Sequence, residues 1–169
     1  GGTNVDIIRV GCTGIDTTTK SITIGKVVTT IADYAFDSCT NLITISIKSP
    51  ITSSGAYSYQ SYLHEPTHLG LGLHHIGEGS FAHSVSLEEI VLPPSLVSIG
   101  QQAFELCTSL KTIIFDSFVN SIDFGGASNG GSTASSHRLL TIADAAFKET
   151  SISELFIPAS VTFIGRNIL

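Results

Sequence analysis

Apolar residues recur at the same offsets in three segments of the chain, which align without gaps over 28–47, 73–92 and 96–115. Each segment carries an apolar residue, Ile three positions later, a small residue followed by Phe, a Cys or Ser, a Leu, and an alternating apolar end. A fourth copy opens at Leu139 and a fifth at Val161. Self-similarity at a fixed period of 20–50 residues is typical of solenoid proteins, whose stacked units share one continuous core.

The end of each unit predicts a short strand, because apolar and polar residues alternate in Ile45-Ser46-Ile47 and Ile90-Val91-Leu92. These strands are expected to stack as a parallel sheet. The Ala-Phe segments, such as 32–38 and 101–106, predict short helices or turns on the opposite face. With Leu and Ile at fixed offsets, the predicted fold class is an α/β solenoid, a right-handed leucine-rich-repeat array of about seven units of 20–23 residues.

Two long gaps interrupt the regular repeats, one between Val28 and Leu73 and one between Leu96 and Leu139. Each gap is close to twice the repeat length, which predicts one degenerate unit at 51–72 and another at 117–138. Residues 1–21 fit no unit well and are expected to form an N-terminal cap or a degenerate repeat. The solenoid is expected to occupy 22–169 and to continue beyond it.

The residue pattern within the units indicates one particular class of leucine-rich repeat. The unit that begins at Leu96 reads LVSIGQQAFELCTSL, and Ile90-Val91-Leu92-Pro93 and Phe156-Ile157-Pro158 supply the strand ends. This pattern resembles the BspA-like, or Treponema pallidum-type, leucine-rich repeat. The resemblance implies a surface-exposed or secreted binding protein, often an adhesin, with no enzymatic activity, no catalytic residue and no cofactor.

Composition narrows the classes of function further. With 42% hydrophobic residues the chain is too apolar for intrinsic disorder, and a net charge of −6 leaves no basic patch for nucleic acid. No apolar run approaches the roughly 20 residues of a membrane span. The sequence lacks Met, which indicates a processed protein or a fragment. A surface rich in Ser and Thr rather than charges favours an extracellular or cell-surface location.

Five of the six histidines lie between residues 64 and 83. The run His64-Glu65-Pro66-Thr67-His68 matches the zinc-protease pattern His-Glu-x-x-His, which requires a helix that places both histidines on one face. Pro66 argues against that helix, since proline clashes within a helix interior. A metal site is a weaker alternative to solvated loop histidines, and its candidates are His64, His68, His74 and His75.

Three cysteines are present, and Cys39 and Cys107 both occupy the Cys position of the repeat. Three repeat spacings of about 4.8 Å would place them roughly 14 Å apart, beyond the reach of a disulfide. Both are expected to be buried free thiols. Cys12 could instead pair with Cys39 if residues 1–21 fold back as the neighbouring unit.

The outward residue in the middle of each predicted strand changes character along the chain. It is polar in the first units and apolar in the later ones, where it is Val91, Ile114 and Phe156. A contiguous exposed apolar strip often marks an interface, so these residues are candidates for partner binding. The alternative is that loops such as 117–138 cover them.

Tyr57, Tyr59 and Tyr62, with Ser and Gly between them, have the composition of a recognition loop. Tyr59 could instead replace a core Phe. The sequence therefore supports a module that binds a protein or glycan. The competing hypotheses are a structural protein that assembles with further copies of itself through uncapped solenoid ends and, least favoured, a metal-dependent enzyme.

Overall fold

The computed structural model describes residues 7–8, 12, 18–25, 27–47, 72–115 and 139–169. These residues form a stack of coils in which parallel strands build two sheets. We call them the short-strand sheet and the long-strand sheet. The short-strand sheet contains, in spatial order, β1 (Ile7–Ile8), β3 (Thr30–Ile31), β5 (His75–Ile76), β7 (Ser98–Ile99), β9 (Thr141–Ile142) and β10 (Phe163–Ile164). The long-strand sheet contains β2 (Ser21–Ile24), β4 (Thr44–Ile47), β6 (Glu89–Leu92) and β8 (Thr112–Phe115).

The register of the strands places equivalent residues of successive units side by side. Ile31 pairs with Ile76, Ile76 with Ile99, and Ile99 with Ile142, and all four side chains are buried. In β6 the burial alternates, so that Ile90 and Leu92 face the core. The predicted strands, their parallel pairing and the solenoid class are thus confirmed.

The predicted helices at the Ala-Phe segments are wrong, since the described residues contain turns there and no α-helix. Two residues of each turn, four positions apart, adopt left-handed backbone conformations, for example Gln102 (φ 54°) and Leu106 (φ 60°). Left-handed residues interrupt a right-handed helix. Their conformation instead turns alternate N–H groups toward the next coil, so that Phe104 N donates to Ala146 O at 2.8 Å.

A column of stacked phenylalanine rings fills the core behind these turns. The ring centroids lie 5.2 Å apart for Phe36 and Phe81, 5.1 Å for Phe81 and Phe104, and 5.5 Å for Phe104 and Phe147. All four side chains are buried. The column explains why each unit needs a small residue before its Phe, because the small side chain lets the turn approach the rings closely.

One strand pairing spans each of the two long gaps in the repeat pattern. β3 and β5 are hydrogen-bonded neighbours, and so are β7 and β9. The expected degenerate units at 51–72 and 117–138 stay a prediction. A gap of twice the repeat length accommodates one unit plus an inserted segment equally well, and length alone does not separate the two. The residues of both gaps lie outside the described part of the chain.

The cysteines also differ from the first expectation. Cys39 forms a disulfide with Cys12, with Cα atoms 5.3 Å apart, so it is not a free thiol. Cys107 is free and buried, as predicted, and its Sγ donates to Phe81 O at 3.0 Å. Ser84 takes the Cys position in the unit between Cys39 and Cys107, where its Oγ donates to Phe36 O at 3.0 Å. The unit of Ser84 therefore lies between the units of Cys39 and Cys107 in the stack.

Candidate partner-binding face

The outer face of the long-strand sheet presents two columns of side chains. Because successive residues of a strand point to opposite faces, the first and third residues of each strand face outward. The first column consists of Ser21, Thr44, Glu89 and Thr112, and the second of Thr23, Ser46, Val91 and Ile114, all of them exposed. The columns run across the strands, along the axis of the solenoid.

The second column becomes apolar in its later half. Val91 and Ile114 are register partners on β6 and β8, with 37% and 42% of their side chains exposed. The next coil lies beside β8, because Ser151 N donates to Leu110 O at 3.0 Å, and it carries Phe156, which is 72% exposed. Phe156 lies outside the assigned strands. We call Val91, Ile114 and Phe156 the apolar strip.

Core residues support the backbone beneath the strip. Ile90 and Leu92, on either side of Val91, are fully buried, and Ile113 and Phe115 pack against the core on either side of Ile114. A core packed at crystal-like density holds the backbone beneath an exposed side chain in place. The strip is therefore presented on a preformed surface.

Carboxylates border the strip on the side where the strands begin. Glu89 and Glu154 are exposed two residues before Val91 and Phe156, and Glu88 is exposed beside Glu89. The one cation of this border among the described residues is Lys111. On the other side, the next strand residues, Leu92 and Phe115, face the core, and residues 116–138 lie outside the described part of the chain. The alternation that identifies the strip also marks Glu89 as outward-facing, since it lies two residues before Val91 on the same strand.

The described histidines do not form a metal centre. His75 lies on the short-strand sheet, away from the strip, where its Nδ1 is 2.8 Å from Ser98 Oγ, and its ring centroid is 6.3 Å from that of His74. His83 contacts Asp37 Oδ1 at 3.0 Å. Within the described ranges, no three His, Cys, Asp or Glu side chains come together as a metal site would require. His64 and His68 lie outside those ranges.

Tyr57, Tyr59 and Tyr62 also lie outside the described residues, so the proposed recognition loop stays a prediction. An exposed tyrosine that the sequence analysis did not single out is Tyr34, whose hydroxyl donates to Glu78 Oε1 at 2.5 Å. This hydrogen bond is the main cause that raises the pKa of Tyr34. No sequence motif identifies Tyr34. Its left-handed backbone conformation and its hydrogen bond to a residue 44 positions away both depend on how the coils stack.

Comparison with known protein families identifies the family of this chain. The model of the BspA type leucine-rich repeat region matches in six copies over residues 16–129 and 63–169. The chain belongs to the BspA-type leucine-rich repeat family. The resemblance noted in the sequence is thus confirmed. BspA-type leucine-rich repeat proteins are often surface antigens or adhesins and are generally non-enzymatic binding proteins.

Solved structures of BspA-type and other leucine-rich repeat proteins share the fold. The pneumococcal vaccine antigen PcpA is 27% identical, with a TM-score of 0.60 over 88% of this chain and 27% of its own. A leucine-rich cell surface protein from Faecalibacterium prausnitzii is 25% identical, with a TM-score of 0.51 over 88% of this chain and 35% of its own. A leucine-rich repeat protein from Bacteroides ovatus, 23% identical with a TM-score of 0.54 over 86% of this chain and 27% of its own, supports the fold alone. No curated protein matches the BspA-type chain.

The BspA-type chain therefore spans between a quarter and about a third of the length of these structures. In the part of the chain that the structure describes, no helix has the length and apolar character needed to cross a bilayer.

Proposed function

We propose that this chain is a non-enzymatic binding module of a cell-surface or secreted protein, and that the apolar strip engages a protein partner. The observation that carries the proposal is the exposure of Val91 and Ile114 side by side on a preformed sheet face, with Phe156 exposed on the adjoining coil. Large exposed apolar side chains that lie together mark interaction sites more often than single ones do. Aromatic residues such as Phe156 are also enriched at the centres of protein interfaces.

Two observations support an extracellular or cell-surface location. The Cys12–Cys39 disulfide ties the N-terminal segment to the stack, and disulfides persist mainly in oxidising compartments. Two solved relatives are a vaccine antigen and a cell surface protein. We therefore include an extracellular or cell-surface location in the proposal for this chain.

A protein partner fits the strip better than a glycan does. Sugars are bound by convergent polar groups together with aromatic faces, whereas Val91 and Ile114 offer only aliphatic surface. Burial of aliphatic surface contributes about 25 cal/mol per Å² when the partner is also apolar. Self-assembly of the chain with further copies of itself is the competing function, and the experiment below separates the two.

The proposal is tested with the purified chain on arrays of secreted proteins and of glycans. The test variant is Val91→Ser/Ile114→Ser/Phe156→Ser, and the matched control is Thr23→Ser/Ser46→Thr on the polar half of the same face. We expect wild type and control to bind the same protein spots, and the test variant to lose them. Light scattering at high concentration should show a monomer.

Three results would count against a strip that binds another protein. They are unchanged array binding by the test variant, binding to glycan spots alone, and no binding of the wild type to any spot. If the wild type assembles as its concentration rises and the test variant does not, the strip mediates self-assembly instead.

A further inference from the structure

The spacing of the apolar strip restricts the shape of what can cover it. Val91 and Ile114 are register partners on adjacent strands, and Phe156 belongs to the coil that lies next to β8. Adjacent strands lie about 4.8 Å apart, so the strip presents one apolar side chain about every 4.8 Å along the solenoid axis. A partner must offer apolar groups at a similar repeat.

An α-helix lying along the axis matches this repeat more closely than an extended peptide does. A helix presents one residue per turn to a surface, about every 5.4 Å, so over two steps it drifts about 1 Å from the strip. An extended peptide presents same-face residues about every 6.7 Å and drifts about 4 Å over the same distance. A peptide aligned with the strands instead would follow Glu89 and Val91 of one strand and would miss the other two apolar residues.

The charges beside the strip define the helix further. Among the described residues on the side where the strands begin, the carboxylates Glu88, Glu89 and Glu154 outnumber the single cation Lys111. This acidic border complements a helix that carries basic residues on the flank of its apolar stripe that faces the border. Such complementarity fixes the orientation of a partner and accelerates its association.

The chain's own inserted segment is a poorer occupant by this criterion. Residues 116–138 include Asp116 and Asp123 against one basic residue, Arg138. They are also rich in Gly and Ser, which disfavour a helix. Neither the charge nor the helix propensity of this segment suits the acidic border.

Given the binding role proposed above, we infer that the partner presents an amphipathic α-helix that lies along the solenoid axis, with one apolar residue per turn against the strip and Lys or Arg on the flank facing Glu89 and Glu154. The partner class is thus a protein segment with a helical apolar stripe and a basic flank. This mode of recognition places apolar anchors at i, i+4 and i+7 of the helix.

The inference is tested with three designed peptides of about 21 residues, long enough to form helix in water when rich in Ala. The first carries a Leu stripe with Lys on one flank, the second replaces those Lys with Glu, and the third scrambles the first so that no stripe forms. Dissociation constants are measured by fluorescence anisotropy with the full chain at low salt. We expect the Lys-flank peptide to bind at least about tenfold tighter than either of the others.

Two variants of the chain assign the contacts. Ile114→Ser should weaken the Lys-flank peptide by about tenfold or more, whereas Glu89→Gln/Glu154→Gln should reduce the preference for Lys over Glu to less than about threefold. Thr23→Ser is the matched control and should change neither value. Equal binding of the scrambled peptide, or a Lys preference that survives the Gln variants, would overturn the inference.

Failure here is distinguishable from failure of the binding role. If the array spots depend on the apolar strip but no designed helix binds, the strip binds a protein of another shape. If the spots do not depend on the strip, the proposed function itself is wrong.

Discussion

The ring of Phe36 stacks directly on the ring of Phe81, with their planes within 4° of each other, although 45 positions separate the two residues in sequence. Stacked rings at this distance leave no space for a third ring between them. Tyr59, which could replace a core Phe in an intervening unit, lies outside the described residues. The core of the solenoid is continuous across a gap that the sequence leaves irregular.

The first prediction concerns this column of rings. Phe81 is fully buried between Phe36 and Phe104, so Phe81→Ala should lower the free energy of unfolding by about 3–5 kcal/mol through lost burial and a residual cavity. The matched control is Phe156→Ala, which truncates an exposed ring and should change stability by less than about 0.5 kcal/mol. Urea unfolding of both variants measures the difference, and equal effects would contradict the burial of Phe81.

A second prediction concerns Gly79, which has a φ of +54° and lies against the ring of Tyr34. A Cβ added there would collide with that ring and would also meet the left-handed penalty of about 1–2 kcal/mol. Gly79→Ala should therefore destabilise the chain by at least that amount. Gly25→Ala serves as the control, since nothing lies within 4 Å of its Cβ position. If the two variants unfold at the same urea concentration, the close packing of Tyr34 on Gly79 is wrong.

The parts of the fold that follow from local pattern could be predicted from the sequence. Alternation in Ile90-Val91-Leu92 identified both the buried face and the exposed strip, because a strand has a side-chain period of two. The turns could not be predicted in the same way. Gln102 and Leu106 adopt left-handed conformations that their residue types do not favour. The hydrogen bonds that their N–H groups donate to the next coil offset the steric cost of those conformations.

The pairing of units that are distant in sequence could not be predicted from the sequence either. The stacking of β3 on β5 depends on which coils are neighbours, and the sequence shows only the distance between them along the chain. For the same reason the Cys12–Cys39 bridge remained one of two alternatives, since it depends on the N-terminal segment lying next to the unit of Cys39. Glu154 was missed because its role depends on the line that Val91 and Phe156 form across separate coils.

The direct pairing of β3 and β5 yields a third prediction. Residues 48–71 can be replaced by Pro-Pro, which reproduces the connection that Pro93-Pro94 makes between Leu92 and the next unit. The shortened chain should fold with a single cooperative transition, because a shorter connection costs less loop-closure entropy. Circular dichroism and urea unfolding provide the measurement. Replacing residues 73–84 with the same linker is the control and should abolish cooperative folding, since it removes half a unit, including β5 and the buried ring of Phe81, and breaks the register of the stack. A shortened chain that fails to fold would show that 48–71 contribute to the stack.

A fourth prediction concerns the Cys12–Cys39 disulfide. Cross-links of this kind stabilise by about 2–4 kcal/mol, chiefly by restricting the unfolded chain. Dithiothreitol should therefore lower the stability of the wild type by about that amount and leave Cys12→Ser unchanged. Cys107→Ser, which keeps the disulfide, is the control and should respond to the reductant as the wild type does. Equal responses of wild type and Cys12→Ser would rule out the bridge.

The last prediction concerns Cys107, because burial raises the pKa of its thiol to about 12 from an ordinary value of 9.0. The folded state therefore holds the thiol neutral over a range in which the unfolded chain ionises. A group whose pKa is raised by folding contributes stability that is fully present below pH 9 and is lost as the pH rises toward 12, at about 1.4 kcal/mol per pH unit.

The raised pKa values of Tyr34 and Lys148 act in the same direction, so only a comparison with a variant isolates the thiol. Urea unfolding from pH 8 to 10.5 should show a steeper loss of stability for the wild type than for Cys107→Ser, whose hydroxyl does not ionise in that range. Iodoacetamide should label Cys107 only as fast as the chain unfolds, because the thiolate is the reactive form and is excluded from the core. Parallel stability curves together with rapid labelling of the folded chain would show that the thiol is accessible and that burial does not control its chemistry.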